Sequence, residues 1–316
     1  MQTLLLFGLA GFLAQLVDGT LGMGYGVTSS TTLLAVGTAP AVAAASVNLA
    51  QTGTTLASGV SHWKFRNVDW RTVGILAVPG GLGAVAGASI VVSLSEGAAK
   101  AWISAILSLL GLYVLIRFSF LKLGRLITDK RPGAKFLAPL GIVGGFLTSS
   151  SGGGWGPVVT TTLLSSGRLE PRKVVGSVGT SEFVVTVSAS LTFYFALARQ
   201  DGMNYLIVAG LLIGGVLAAP FAAWMVRHLP PRVLGAGAGG MIVLTNAWLL
   251  LRVFGAGPVV FGTVYLGLVV LWIAGITAAM RSVLAEKRLR EVIEADTVPL
   301  PVKTGAPDDD DPARIS

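Results

Sequence analysis

Two glycine-rich segments, each followed by hydroxyl residues and apolar sequence, could bind a small anion through their backbone amides. Residues 22–34 read GMGYGVTSSTTLL, and residues 152–164 read GGGWGPVVTTTLL. We expect a new helix to begin at the end of each glycine run, because the four glycines within residues 152–156 cannot continue a helix. The free N–H groups of a first helical turn carry partial positive charge and bind anions. The candidate binding residues are Gly22, Gly24, Gly26, Ser29, Ser30, Ser150, Ser151, Gly152, Gly153, Gly154, Gly156 and Thr160.

Four further polar residues could line a substrate or proton pathway. Asn48 and Gln51 are three residues apart, so they share one face of a helix. Glu182 occupies the position in the second half that corresponds to Gln51, and Asp18 precedes the first glycine run. Polar residues inside a membrane usually face a cavity, and a carboxyl group there can carry a proton. A single interhelical hydrogen bond is the alternative for Asn48, Gln51 and Glu182, and a helix cap is the favoured role of Asp18.

The composition is that of an all-α polytopic membrane protein. Hydrophobic residues make up 53% of the 316 residues, charged residues only 12%, and the mean hydropathy is +0.76. A soluble domain carries about 25% charged residues, so a water-soluble protein is excluded. A bilayer is crossed by about 20 apolar residues. The candidate crossings have no Lys or Arg in their interiors, and we therefore expect no membrane-buried basic residue. The candidate crossings are residues 40–61, 72–94, 101–116 with its flanks, 174–198, 203–226, 233–251 and 258–280.

The sequence features recur in the same order, which predicts two repeats of one structural unit. Each repeat is expected to contain a re-entrant broken-helix hairpin, over residues 3–38 and 136–167, followed by three transmembrane helices. Three crossings per repeat is an odd number, so the second repeat would be inverted relative to the first. If residues 3–38 contain a true crossing, the N-terminus changes side. The predicted divisions are a first repeat at 1–118, a basic cytoplasmic linker at 119–135, a second repeat at 136–254, an extra C-terminal transmembrane helix at 258–282, and a cytoplasmic, largely disordered tail at 283–316.

Charge distribution and missing residue types exclude several classes of protein. The predicted layout places every Lys and Arg on the cytoplasmic side except Lys100, Arg199 and Arg252, in accord with the positive-inside rule. It also predicts a cytoplasmic C-terminus. The net charge of +8 does not indicate nucleic-acid binding, because no basic face with interleaved aromatic residues exists. The absence of cysteine excludes disulfides, thiolate metal sites and cysteine nucleophiles. We expect no cofactor, no metal site and no enzymatic activity.

The chain resembles the TauE/SafE family of membrane proteins, which are commonly described as sulfite exporters. The resemblance extends in order from residue 1 to about residue 280, and the duplicated glycine-rich motif is fairly specific. It implies a bacterial inner-membrane permease for a small sulfur-containing anion, such as sulfite or an organosulfur anion. By position, it also implies that both glycine runs and the stretches 46–51 and 177–182 form the central pathway. The residues that carry the resemblance are 11–14, 18–26, 40–46, 59–71 and 149–156.

The residues and the resemblance together predict a secondary transporter, expected to be an exporter, that binds a small sulfur oxyanion near the membrane midplane. We expect it to work by alternating access. We also expect proton coupling through Glu182 and assembly as a homo-oligomer. Two alternatives stay open, namely an anion channel that uses the same glycine tips as a filter and a non-transporting membrane sensor. Flux that saturates and responds to a proton gradient would favour the transporter, whereas large single-channel currents would favour the channel.

Overall fold

The computed structural model describes residues 2–21, 23–120, 131–197, 204–228 and 230–296, and within these ranges the chain is helical and contains no strand. This confirms the predicted all-α fold. The helices are α1 (Gln2–Leu21), α2 (Tyr25–Ala35), α3 (Pro40–Lys64), α4 (Trp70–Ser93), α5 (Glu96–Phe120), α6 (Ala134–Ser151), α7 (Thr161–Ser166), α8 (Pro171–Leu197), α9 (Tyr205–His228), α10 (Pro231–Val253) and α11 (Pro258–Asp296). A π-helical segment, Trp155–Thr160, leads directly into α7.

Both glycine runs interrupt the helices where the sequence predicted. α1 ends at Leu21, and α2 begins at Tyr25 after Gly24, which is left-handed with φ 116°. α6 ends at Ser151, and the following Gly152 has φ 81°. Glycine adopts these angles without the steric penalty that a Cβ atom would bring, so each run allows the chain to leave one helix and begin another. Gly22 lies outside the described residues.

The first arm of the hairpin predicted at residues 3–38 is longer than expected. α1 has 20 residues, which corresponds to about 30 Å of helix and thus to the hydrocarbon thickness of a bilayer. The first arm of the hairpin predicted at residues 136–167 is α6, with 18 residues. Re-entrant insertion of the two broken helices therefore stays a prediction.

Each of the seven predicted crossings coincides with one helix, α3 to α5 or α8 to α11. Five of these helices are long and apolar enough to cross a membrane. α3 is not among them because polar residues, including Asn48 and Gln51, interrupt its apolar sequence. α9 has 24 residues, of which Tyr205–Ala218 form an apolar stretch among the described side chains. The five spans are Trp70–Ser93, Glu96–Phe120, Pro171–Leu197, Arg232–Val253 and Pro258–Arg288.

The last helix continues beyond the extra transmembrane segment predicted at 258–282. α11 runs to Asp296, so the first part of the predicted tail is helical, and residues 297–316 lie outside the described residues. α11 packs against α10 and α5. The Trp272 indole N–H donates a hydrogen bond to the Ala236 carbonyl oxygen of α10 at 3.2 Å. Most of the described α11 side chains, up to residue 288, are exposed, as expected of a peripheral helix that faces lipid.

The largest helix contacts join the first half of the chain to the second. α1 packs on α9, α6 on α4, α3 on α8, and α5 on α10. A Cβ atom on Gly214 of α9 would overlap the carbonyl oxygen of Gly8 in α1. In the same way, a Cβ atom on Gly145 of α6 would overlap the carbonyl oxygen of Gly80 in α4. These glycines therefore allow the helix backbones to pack closely, as small residues do between helices in a membrane.

Gly145→Ala should destabilise the protein, because the added methyl group has no room beside the Gly80 carbonyl. Overpacking of this kind costs about 1–3 kcal/mol, which thermal unfolding in detergent would detect. Gly237→Ala is the matched control, since a Cβ atom on Gly237 of α10 meets no atom within 4 Å. Alanine also favours a helix over glycine by about 1 kcal/mol. A melting temperature of Gly145→Ala equal to that of the control would contradict the close α4–α6 contact.

Candidate functional site

The two glycine motifs meet backbone to backbone. Gly26 lies in the first turn of α2, and a Cβ atom on it would overlap the carbonyl oxygen of Gly152. A Cβ atom on Gly153 would overlap the amide nitrogen of Val27. All four residues are buried. The tertiary structure thus brings together two motifs that begin at positions 22 and 152, and only glycine fits at the contact.

A cavity of about 330 Å³ opens beside this contact. Its walls come from α1, α2, α3, α8 and the residues around the second break. A volume of this size is at the lower end of the range for small-molecule sites. The predicted site residues that line it represent both glycine motifs and the pathway residues. They are Gly24, Gly26, Gly153, Gly154, Gly156, Thr160, Asp18, Gln51 and Glu182.

Six other predicted site residues are buried away from this cavity. Ser150 and Ser151 donate hydrogen bonds to the Leu147 carbonyl oxygen at 3.4 and 2.7 Å. Asn48 donates to the Ala44 carbonyl oxygen at 2.8 Å. These side chains bond the backbone of their own helices, as short polar side chains often do. The six residues that the structure places in the core, and not on the cavity wall, are Ser29, Ser30, Asn48, Ser150, Ser151 and Gly152.

Two carboxyl groups reach the same cavity. Asp18 Oδ1 accepts a hydrogen bond from the Tyr25 N–H at 3.2 Å, so Asp18 caps the start of α2. Glu182 reaches the cavity from α8. No Lys, Arg or His lines the cavity in the part of the chain that the structure describes. An anion in this cavity would therefore contact helix-start amides and hydroxyls together with two carboxyl groups. The net charge of the cavity would depend on whether these carboxyl groups are protonated.

In each glycine motif, the aromatic side chain donates a hydrogen bond to a neighbouring helix and so holds the helix break against that helix. The Tyr25 hydroxyl donates to the Leu211 carbonyl oxygen of α9 at 2.9 Å. The fully buried Trp155 indole N–H donates to the Val178 carbonyl oxygen of α8 at 3.0 Å. Tyr25 and Trp155 occupy equivalent places in the two motifs, and both line the cavity. Because a buried donor without a partner is costly, these bonds favour one position for each break.

Comparison with known proteins decides the family. The family model described as "Sulfite exporter TauE/SafE" matches residues 7–249. The protein belongs to the TauE/SafE family. A relative described as "Probable membrane transporter protein YtnM", from Bacillus subtilis (strain 168), is 46% identical over 277 residues, which cover 87% of this chain and 92% of the relative. No solved structure matches the chain significantly.

The TauE/SafE match confirms the resemblance expected from the sequence. Together with the five apolar spans, it identifies a multi-pass membrane transporter. The matched residues 7–249 include every residue that lines the cavity, and they exclude α11. The cavity therefore belongs to the part of the chain that the family model describes.

Several cavity residues of this TauE/SafE protein were not identified by sequence reasoning. Thr55 and Ser58 follow Gln51 by four and seven positions, which is the spacing of one helix face, and all three line the cavity. Gln15 precedes Asp18 by three positions and lines it as well. Helical spacing around Gln51 and Asp18 was thus a usable signal. Outside the two glycine runs and the stretch 177–182, which the resemblance assigned to the pathway, the other cavity residues that were missed are Val27, Thr54, Pro157 and Val175.

One basic residue is buried inside the protein, which the sequence analysis did not anticipate. Arg117, in the last turn of α5, is only 5% exposed. Its Nη1 donates to the Tyr113 hydroxyl and to the Ser165 hydroxyl of α7, both at 3.2 Å. The predicted crossing covered residues 101–116 with its flanks and left Arg117 at its edge, whereas α5 continues to Phe120 and Arg117 reaches Ser165 of α7.

Hydrogen bonds link Arg117 to the cavity wall. The hydroxyls of Tyr113 and Thr161 lie 2.8 Å apart, and Thr161 donates to the Pro157 carbonyl oxygen. Pro157 lines the cavity. The ion pairs found among the described residues do not include Arg117, so its partners there are hydroxyls. This hydrogen-bond network holds the second break of the TauE/SafE protein against α5.

Tyr113→Phe should lower the stability of the protein. The change removes the hydroxyl that accepts from Arg117 and pairs with Thr161, which leaves a buried charge with fewer partners. Loss of a hydrogen bond to a charged group costs about 1.5–3 kcal/mol, measurable by thermal unfolding in detergent. Tyr265→Phe is the control, because Tyr265 lies on the peripheral α11 and stacks on Phe261. If the two variants melted at the same temperature, the network would not stabilise the fold.

Proposed function

We propose that this TauE/SafE protein is a secondary transporter of a small sulfur oxyanion, such as sulfite, or of an organosulfur anion. The observation that carries the proposal is the cavity at which both glycine motifs, Gln51 and Glu182 meet. The family description names a sulfite exporter, which supports the substrate class and export as the direction. The protein would alternate access to this cavity between the two sides of a bacterial inner membrane, with its C-terminus in the cytoplasm.

Neutral donors would bind the anion. α2 and the segment 155–166 both begin at the cavity, and each helix start carries about half a positive elementary charge. Thr160 adds a hydroxyl at the wall. Gln51 is 6% exposed, and its Oε1 has no partner among the described residues. Because a carboxamide can turn to present either its oxygen or its NH₂ group, Gln51 can serve an anion or its bound proton. Neutral donors suit a ligand that must also be released.

Helix packing supports the two inverted repeats. Exchanging α1 with α6 and α4 with α9 converts the α1–α9 contact into the α6–α4 contact. Exchanging α3 with α8 and α5 with α10 leaves the contacts between them unchanged. Such a pattern is expected when two halves are related by a twofold axis. Three crossings after each hairpin would place that axis in the membrane plane, so the two re-entrant breaks would enter from opposite sides.

Proton coupling follows from the two carboxyl groups at the cavity. An anion and an ionised carboxylate repel each other by about 1 kcal/mol at 4 Å in water, and by more at lower dielectric. Binding of the anion would therefore favour uptake of a proton, and the proton would favour binding of the anion in turn. Asp18 is engaged as the cap of α2, so Glu182 is the candidate proton carrier.

Flux measurements in proteoliposomes test the proposed function. We expect flux of sulfite or thiosulfate that saturates with concentration and increases when a pH gradient is imposed, with sulfate measured in parallel. Flux of all three anions no faster than in protein-free vesicles would contradict the substrate class. Large single-channel currents in planar bilayers would instead identify an anion channel.

A matched pair of variants connects this flux to the cavity. Thr160→Val removes a hydroxyl at the wall with little change of shape, and we expect the KM for the anion to rise about tenfold. Thr162→Val is the control, because Thr162 does not line the cavity. Equal KM values for the two variants would place the anion elsewhere.

Glu182→Gln should abolish the response of flux to the pH gradient, because glutamine keeps the shape of the side chain but cannot exchange a proton. Flux of the anion at one fixed concentration, with and without the gradient, gives the measurement. The control is Glu170→Gln, since Glu170 is exposed and pairs with Arg172 outside the cavity. A wild-type pH response in Glu182→Gln would assign the proton to another group.

A further inference from the structure

The end of α3 has an arginine in a left-handed backbone position. The Asn67 N–H donates to the His62 carbonyl oxygen at 2.9 Å, and the Arg66 N–H donates to the Trp63 carbonyl oxygen at 3.0 Å. This pair of bonds is the Schellman pattern of a helix C-terminus, in which the residue after the helix is left-handed. Arg66 accordingly has φ 58°. A residue with a Cβ atom disfavours this conformation.

Elsewhere the chain uses glycine at such positions. α2 and α10 end in the same bonding pattern, with Gly37 at φ 86° and Gly255 at φ 62°. α7 ends with Gly167 at φ 62°. Among the described residues, Arg66 is the one non-glycine residue with positive φ. Because glycine would avoid the conformational penalty, the arginine at this position indicates a role for its side chain.

Arg66 lines an open cavity of about 480 Å³ at the boundary of a membrane span. Its other lining residues are Trp63, Lys64, Val68 and Trp70. The two tryptophans are 60% and 59% exposed, and both basic side chains are exposed as well. Trp70 is the first residue of α4, which is long and apolar enough to cross the membrane. In a bilayer that α4 crosses, the cavity would lie at the level of the lipid headgroups.

The loop that forms this cavity is fixed to α8. A Cβ atom on Gly176 would overlap the Asn67 carbonyl oxygen, and the Asp69 N–H donates to the Ser177 hydroxyl at 2.8 Å. The Asp69 carboxylate accepts from the Thr72 N–H at 2.8 Å and caps α4. Burial acts to raise the pKa of Asp69, but hydrogen bonds from Thr72 and nearby positive charges outweigh it and lower the pKa. The Asp69 carboxylate is thus occupied as the N-cap of α4.

We propose that the cavity binds the headgroup of an anionic phospholipid. The ion pairs among the described residues involve neither Lys64 nor Arg66, and both cations bind the lipid phosphodiester through charge-assisted hydrogen bonds. Trp63 and Trp70 pack against the glycerol region, at the depth where tryptophan is enriched in membrane proteins. A soluble anion would use the two charges but leave both indole rings in water, so the lipid is the occupant that the cavity fits.

Lipid-dependent thermal stability of the full-length protein tests this proposal. The protein in a neutral detergent is titrated with phosphatidylglycerol and, in parallel, with phosphatidylcholine and with inorganic phosphate. A ligand that binds the folded state raises the melting temperature. We expect phosphatidylglycerol to raise it more than phosphatidylcholine does, and inorganic phosphate to leave it unchanged. An equal shift with phosphate would identify a site for soluble anions and overturn the proposal, as would equal shifts with the two lipids.

Variants of the loop localise the effect. Arg66→Gly removes the guanidinium and supplies the residue that the backbone angle favours, so we expect it to fold and to bind phosphatidylglycerol about tenfold more weakly. Lys64→Gln should weaken binding in the same direction. Arg71→Gln is the matched control, because Arg71 is exposed nearby but does not line the cavity. Wild-type affinity in Arg66→Gly, or an equal loss in Arg71→Gln, would overturn the proposal.

Discussion

The contact between the two glycine breaks is the constraint on which the rest of the structure depends. Backbone that leaves a helix inside a membrane must be covered by protein or face a cavity, because lipid cannot satisfy its polar groups. Here each break covers the other, since Gly26 lies against Gly152 and Gly153 with no room for a side chain. The same contact directs two helix starts at one cavity. The contact that packs the two breaks together therefore also forms the cavity of the proposed site.

The described basic side chains all lie outside the cavity. Its described lining has helix-start amides, hydroxyls and two carboxyl groups but no basic residue. Arg117 is buried outside the cavity and is stabilised there by hydroxyls of α5 and α7, as a buried charge must find partners. Lys64 and Arg66 are exposed beside the start of α4, where the proposed lipid headgroup would neutralise them. The proposed anion would thus be held in the cavity without an ion pair that would resist its release.

Helices and breaks could be predicted because hydropathy and glycine content act over short stretches of chain. The apolar runs located every helix from α3 to α5 and from α8 to α11, and the glycine runs located both interruptions. Helix ends were less well predicted, because capping and packing determine where a helix stops. For Arg117 that difference was decisive, since α5 extends to Phe120 and carries the residue into the protein interior.

The sequence by itself determined an all-α membrane protein of the TauE/SafE family with a broken helix in each half. Only the tertiary structure decided which polar groups face the cavity, because packing against neighbours sets how each helix is rotated about its axis. Thr55 and Ser58 lie with Gln51 on the cavity wall, whereas Ser150 and Ser151 turn into the core. The tertiary structure also decided that the two breaks touch. Their contact depends on how all the intervening helices pack, and no local pattern in the chain encodes it.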